Sequence, residues 1–301
     1  MPAGIYVGTD DGLYVFGDER RLDLPGRRLR TLADDGRALW ALVGESEIFT
    51  AGPTGIWRHV TRLRNVRMTC LYPAPDGVLI GTHGARLHQL RDYRVEPVEA
   101  FDFVAGRDKW YTPWGDPPAV RSIGADSDGT TFVNVHVGGL PRSTDGLLTF
   151  EPTLDIDDDV HQVLALPGDG PVLAATAKGL STSWDHAATW NHRTLGLAGT
   201  YLRAVAVCND TVLVSASHGP DGRDAAVYRG GLEGVRFERC RKGLPDALPD
   251  NVDTHCLAGA GTTAAFGTSD GAVYVSRDAG RGWELLAEGL PQVRCVLVRA
   301  A

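Results

Sequence analysis

Three features of the sequence predict an all-β fold, a seven-bladed β-propeller. Short β-rich runs ending in a small residue, Thr and Gly recur at Gly4–Gly12 (GIYVGTDDG), Val78–Ala85 (VLIGTHGA), Val172–Gly179 (VLAATAKG) and Ala264–Gly271 (AAFGTSDG). A second pattern, an apolar residue or Thr followed by Arg or His, opens the runs at Leu29-Arg30, Val66-Arg67, Val120-Arg121, Val160-His161, Leu202-Arg203, Thr254-His255 and Val293-Arg294. With the Arg/His position as register, the steps are 37, 54, 40, 42, 52 and 39 residues. Alternation at period two within a repeat of roughly 40–50 residues is the signature of a blade of four short strands, and no helical spacing is sustained anywhere.

The elements follow in order. The chain begins on the second strand of a blade, Ile5–Gly8, and ends on a first strand, Gln292–Ala301 (QVRCVLVRAA). Together they complete blade one, and pairing the two ends in one sheet leaves no open edge. The other blades are expected at 28–64, 65–103, 119–155, 159–197, 200–245 and 250–290, within a single domain spanning 1–301.

Composition narrows the classes of function. The 301 residues are 43% hydrophobic and 23% charged, enough for a large core. A net charge of −8 and a pI near 5.6 argue against a general nucleic-acid partner. No apolar run reaches the ~18 residues of a membrane helix, and Met1–Gly8 lacks the pattern of a signal peptide. Five cysteines without CxxC spacing read as reduced thiols of a cytoplasmic protein. Walker, GxSxG and Rossmann-type loops are missing.

A third pattern closes the repeats. Ser276-Arg277-Asp278-Ala279-Gly280-Arg281-Gly282-Trp283 resembles the Asp box, the S-x-D-x-G-x-T-W signature of BNR repeats. Ser183–Trp190 is similar with Ala in place of the Gly, and Ser143–Phe150 with Leu for the Gly and Phe for the Trp. In blade six only Gly234 and Phe237 remain. The resemblance to BNR/Asp-box propellers covers nearly the whole chain and implies the fold. It implies function only weakly, since relatives include sialidases, sortilin-type receptors and photosystem II assembly factors. Sialidases resemble six-bladed propellers with an Arg-Ile-Pro motif, which is absent here, so this chain is not expected to be a true sialidase. Asp145, Asp185 and Asp278 read as structural, accepting hydrogen bonds from their own turns.

In a propeller the starts of the inner strands line the channel mouth, on the face opposite the Asp boxes. That face would gather Arg30, Arg67, Arg121, His161, Arg203, His255 and Arg294 as a ring. Guanidinium forks suit a carboxylate or phosphate, so the five Arg are candidate ligand-binding residues; the alternative is pairing with loop carboxylates such as Asp10, Glu45 or Asp159. The loops between second and third strands add His83, His136 and His218. With His161 and His255 these form a candidate site for a transition metal (Zn, Fe, Cu or Mn), with His161 and His255 also as candidate catalytic groups. The long connection Phe101–Pro118 (FDFVAGRDKWYTPWGDPP) brings Trp110, Tyr111 and Trp114 as a candidate pocket wall. Two functions follow: an enzyme acting on a small anionic molecule at the channel mouth, or a noncatalytic propeller holding a protein segment or other ligand there. Neither needs nucleic acid or membrane.

Overall fold

The computed structural model describes residues 4–299, which form seven four-stranded antiparallel sheets. From blade one to blade seven the inner strands are Val293–Arg299, Leu29–Asp34, Met68–Ala74, Val120–Ala125, Val160–Ala165, Tyr201–Cys208 and Leu257–Ala260. Each packs against the inner strand of the next blade, and the seventh returns to the first, so the ring is closed. In blade one, Gly4–Thr9 pairs with Val293–Arg299, with Ile5 opposite Val298 and Val7 opposite Val296. Residues 1–3, 300 and 301 of the expected span lie outside the described residues.

The recurrent Gly-Thr pair has two physical jobs. The Gly lies where the second strand meets a neighbouring inner strand. A Cβ at Gly81 would sit 2.5 Å from Val120, and one at Gly267 2.3 Å from Val293, so only glycine lets those blades approach. The Thr then fastens the following turn: Thr9, Thr82 and Thr176 donate through Oγ1 to the carbonyls of Gly12, Arg86 and Gly179 at 2.9–3.0 Å.

The three box-like turns share one hydrogen-bond plan between third and fourth strands. Ser143, Ser183 and Ser276 donate to Asp145, Asp185 and Asp278 at 2.8–2.9 Å. The same carboxylates accept from the backbone of Thr149, Thr189 and Gly282 at 2.8–3.0 Å. The Thr149 and Thr189 hydroxyls, which donate to the other carboxylate oxygen at 2.6 Å, do most to hold the Asp145 and Asp185 carboxyls down at about 2, with those bonds adding to it. None of these residues faces the channel mouth.

Boundaries drift where loops carry structure. Blade three ends at Pro97, and the expected stretch to 103 runs into a short 3-10 helix, Glu99–Phe103. Blade six ends at Arg239 and the next inner strand starts only at Leu257, so the segment between them is longer than expected.

One device sets the direction of the channel-facing side chains. Six inner strands carry a β-bulge near their start, which leaves one residue unpaired: Arg30, Thr69, Arg121, His161, Arg203 and Arg294. A bulge sets two residues opposite one and re-aims the extra side chain. His255 takes the equivalent place in blade seven, ahead of Cys256, with φ at +67°. In blade three the equivalent residue is therefore Thr69, not Arg67. Val66-Arg67 and Met68-Thr69 fit the same alternating pattern, and a slip of two residues leaves every side chain on its expected face.

Candidate ligand site at the channel mouth

The mouth of the channel holds a cavity of about 530 Å³, within the usual range for small-molecule sites. Six of the seven expected ring residues line it: Arg30, Arg67, Arg121, Arg203, His255 and Arg294. His161 does not; it is fully buried behind the wall.

The segment before the blade-seven inner strand builds the floor. Instead of lying open on the surface, it dips into the channel and bonds to blades four, five and six, and the His255 carbonyl accepts from Val296 of blade one at 2.7 Å. Ser215 donates to the Val252 carbonyl at 2.8 Å, and Asn251 donates to that of Gly219 at 3.2 Å. Thr254 donates to the carbonyl of His161 at 3.1 Å, and the His255 backbone N–H donates to Gln162 at 3.3 Å. His255 donates through Nε2 to the carbonyl of Arg121 at 3.0 Å. These contacts set Asp253 and His255 near the channel axis.

The five arginines divide into a rim and a deep set. At the rim, Glu45 accepts from Arg67 at 2.7 and 3.2 Å, and Asp10 accepts from Arg294 at 2.8 and 2.9 Å. Both carboxyls are held below their ordinary range chiefly by those bonds. Pairing with Asp10 and Glu45 thus accounts for these two arginines. Deeper in, Arg121 and Arg203 share one carboxylate, meeting Asp253 Oδ1 at 3.2 and 3.1 Å. Burial opposes the Asp253 charge, yet the two guanidiniums hold its carboxyl well below the usual range. Its side chain is still half open to the channel. Arg30 makes no hydrogen bond or ion pair among the described residues. Burial works against its charge and outweighs the pull of Glu45, while Arg121 adds repulsion. Three deep guanidiniums therefore face one carboxylate.

The five histidines do not converge. His136 and His161 meet at Asp159, their Nε2 atoms 3.2 and 3.3 Å from its two oxygens. His83 lies in the cavity wall at 3.3 Å from Glu45. His255 uses Nε2 on the Arg121 carbonyl and is lowered from its ordinary pKa by burial, which leaves Nδ1 as an acceptor. The His218 side chain is exposed, beside Asp224 at 3.4 Å, although Pro220 of the same loop lines the cavity. A single five-histidine centre is thus corrected to a pair of histidines with one carboxylate, and His218, His83 and His255 stand outside it.

The aromatic wall is also corrected. Trp114 lines the cavity and lies over His136, ring centroids 5.1 Å apart. Trp110 turns inward, packing on Phe101 at 5.8 Å with Arg107 over its ring, and Tyr111 points to solvent. The long connection thus plugs a core with Phe101 and Val104 and spends only its second half on the cavity, through Thr112, Trp114, Asp116 and Pro117.

All five cysteines are buried and unpaired, and burial pushes the Cys70 and Cys295 thiols up to about 12. Burial also raises Cys256, which lines the cavity beside His255, well above its ordinary value and favours its neutral thiol. Two site residues escaped the sequence reading. Thr69 was hidden by the two-residue slip. Asp253 was signalled only by the spacing Asp-x-His, which it shares with Asp159-Val160-His161.

No family model matches the chain, and no curated protein matches it. Many solved structures do, at low identity. The WD40 repeats of RRP9 align over 96% of this chain and 86% of that one, with 14% identity and a TM-score of 0.63. An ancestral GH74 enzyme aligns over 96% of this chain and 41% of its own, at 12% identity and a TM-score of 0.64. YCF48 bound to D1 peptide aligns over 79% of this chain and 82% of that one, at 12% identity and a TM-score of 0.54. At these identities the likeness is one of fold, and it spans propellers that bind and a propeller that is an enzyme. Among the described residues no helix is long and apolar enough to cross a membrane.

Proposed function

We propose that the channel mouth binds a small molecule bearing a carboxylate or phosphate, and that the protein is an enzyme acting on it with His255 as general base. One observation carries the binding reading: Arg121 and Arg203 share the carboxylate of Asp253, while Arg30, which lines the same cavity together with Asp116 and Asp250, makes no ion pair among the described residues and is left for a ligand. His255 suits the role of base because the Arg121 carbonyl fixes its tautomer while burial favours its neutral form. Its left-handed backbone is the sort of strain that accumulates at working sites. The box-like turns support an Asp-box propeller of the BNR type as the scaffold, and five buried free thiols support a reducing, cytoplasmic setting.

The test is calorimetric titration with phosphate and a panel of small mono- and dicarboxylates. Binding that weakens about 10-fold or more in Arg30→Gln is expected. No binding of any anion, or binding indifferent to Arg30 and Arg203, would overturn the site. A second reading, a peptide-binding propeller, gains support from the fold likeness to YCF48 bound to D1 peptide. In that case a peptide with a free C-terminal carboxylate binds, its amidated form does not, and small anions bind only weakly.

A further inference from the structure

Behind the cavity wall lies the most unusual polar cluster of the molecule. His136 follows the second strand of blade four, while Asp159 and His161 belong to the start of blade five. His161 is fully buried, and its Nδ1 lies 2.6 Å from the carbonyl of Leu202. A carbonyl can only accept, so Nδ1 carries the proton and Nε2 presents a lone pair. That lone pair points at a carboxylate oxygen of Asp159 at 3.3 Å and has no hydrogen-bond partner. Asp159 Oδ1 is likewise buried without one, with His136 Nε2 at 3.2 Å. Two electron-rich atoms held face to face in a buried place repel each other unless a cation lies between them.

A proton on His161 is one such cation, and a divalent metal ion is another. A metal ion needs no proton. The three donor atoms lie within 4.8 Å of one another. Ligands bonded to one ion at about 2.0–2.2 Å are themselves separated by roughly 3.0–3.6 Å, which matches the two N···O distances. A ligating histidine typically donates its other ring N–H to a backbone carbonyl, as His161 does to Leu202. Two histidines and one carboxylate leave coordination positions open. We propose that His136, Asp159 and His161 hold one divalent transition-metal ion of the Zn²⁺/Fe²⁺ class. His136 also lines the anion cavity, so this centre would stand at its edge. The inference does not depend on the anion reading.

The experiment uses the full chain, stripped with chelator and titrated with Zn²⁺ by calorimetry and with Co²⁺ by visible absorption. One ion per chain is expected, with a rise in melting temperature on adding Zn²⁺. Asp159→Asn and His136→Gln should each weaken binding by at least about 10-fold. Asp159 lies at φ +49°, where Asn is well tolerated, so that variant keeps the question answerable even if His161→Gln fails to fold. His218→Ala should leave metal binding unchanged. Failure of Zn²⁺ and Co²⁺ to bind, or binding indifferent to Asp159→Asn and His136→Gln, overturns the proposal. Anion affinity measured on the same samples separates its fate from that of the Arg30 site.

Discussion

Two Asp-x-His segments enter the channel end of this propeller, Asp159-Val160-His161 from blade five and Asp253-Thr254-His255 from blade seven. Each places a carboxylate among groups that carry or accept positive charge. Around Asp253 those groups are the guanidiniums of Arg121 and Arg203, charged at any ordinary pH. Around Asp159 they are the imidazoles of His136 and His161, whose charge depends on what lies between them. Chemically similar starts thus give unlike sites. Guanidinium saturates its carboxylate and leaves spare positive charge for a ligand. Imidazole leaves lone pairs that call for a cation.

The largest effect should come from breaking the guanidinium side. Asp253→Ala removes the only carboxylate that, among the described residues, is bonded to Arg121 and Arg203, and leaves the deep arginines repelling one another. Losing one partner of a buried pair costs several kcal/mol, and the half-open position of Asp253 reduces this to about 2 kcal/mol. The melting temperature should fall by roughly 4 °C, and millimolar phosphate should restore part of it by taking the carboxylate's place. A variant as stable as the parent would show that Asp253 does not balance the cluster.

The two carboxylates should respond to pH only in strong acid, whereas the buried imidazoles respond near neutrality. Asp159 and Asp253 both titrate below the ordinary carboxylate range, against the pull of burial. Their stabilisation is whole above the unfolded value of about 3.9 and disappears only as pH falls through strongly acid values. His161 is instead lowered by burial. The unfolded chain then takes up its proton first, so this contribution is whole above about pH 6.5 and is lost as pH falls below it. His83, His88 and His255 are lowered in the same direction. Melting temperature of the chelator-treated protein should therefore drop between pH 7 and pH 5, and His161→Gln should make that drop shallower. An unchanged slope would mean His161 is already an imidazolium.

The contrast also shows what a sequence can reveal about a propeller. Blade number and closure are legible because strand alternation and the Gly-Thr pair repeat for local reasons: a missing Cβ and a turn-fastening hydroxyl. The channel face is legible because the Arg/His position falls on the bulge. Contacts across the channel are not. Asp253 reaches Arg121 over 132 residues of sequence and His255 reaches the Arg121 carbonyl over 134. The spacing Asp-x-His signals neither contact. The direction of a loop side chain is equally hidden: His218 is exposed and Trp110 packs inward although their settings in sequence resemble those of His136 and Trp114.

The smallest effect sharpens the division between deep and rim arginines. Arg67 was read as equivalent to Arg30, yet Thr69 takes that place, and Thr69 spends its hydroxyl on the Val120 carbonyl. Arg67 stands two residues earlier, largely exposed, with its guanidinium engaged by both oxygens of Glu45. An exposed, already paired charge contributes little to a ligand that must compete with its partner and with water. Arg67→Gln should weaken anion binding by less than about 3-fold, against a loss of about 10-fold or more for Arg30→Gln. Removing Glu45 instead frees Arg67, so Glu45→Gln should tighten anion binding slightly at low salt and lose that gain at high salt. Equal losses for Arg67→Gln and Arg30→Gln would mean that the ligand sits at the rim and that the deep cluster serves only to hold the blade-seven segment in the channel.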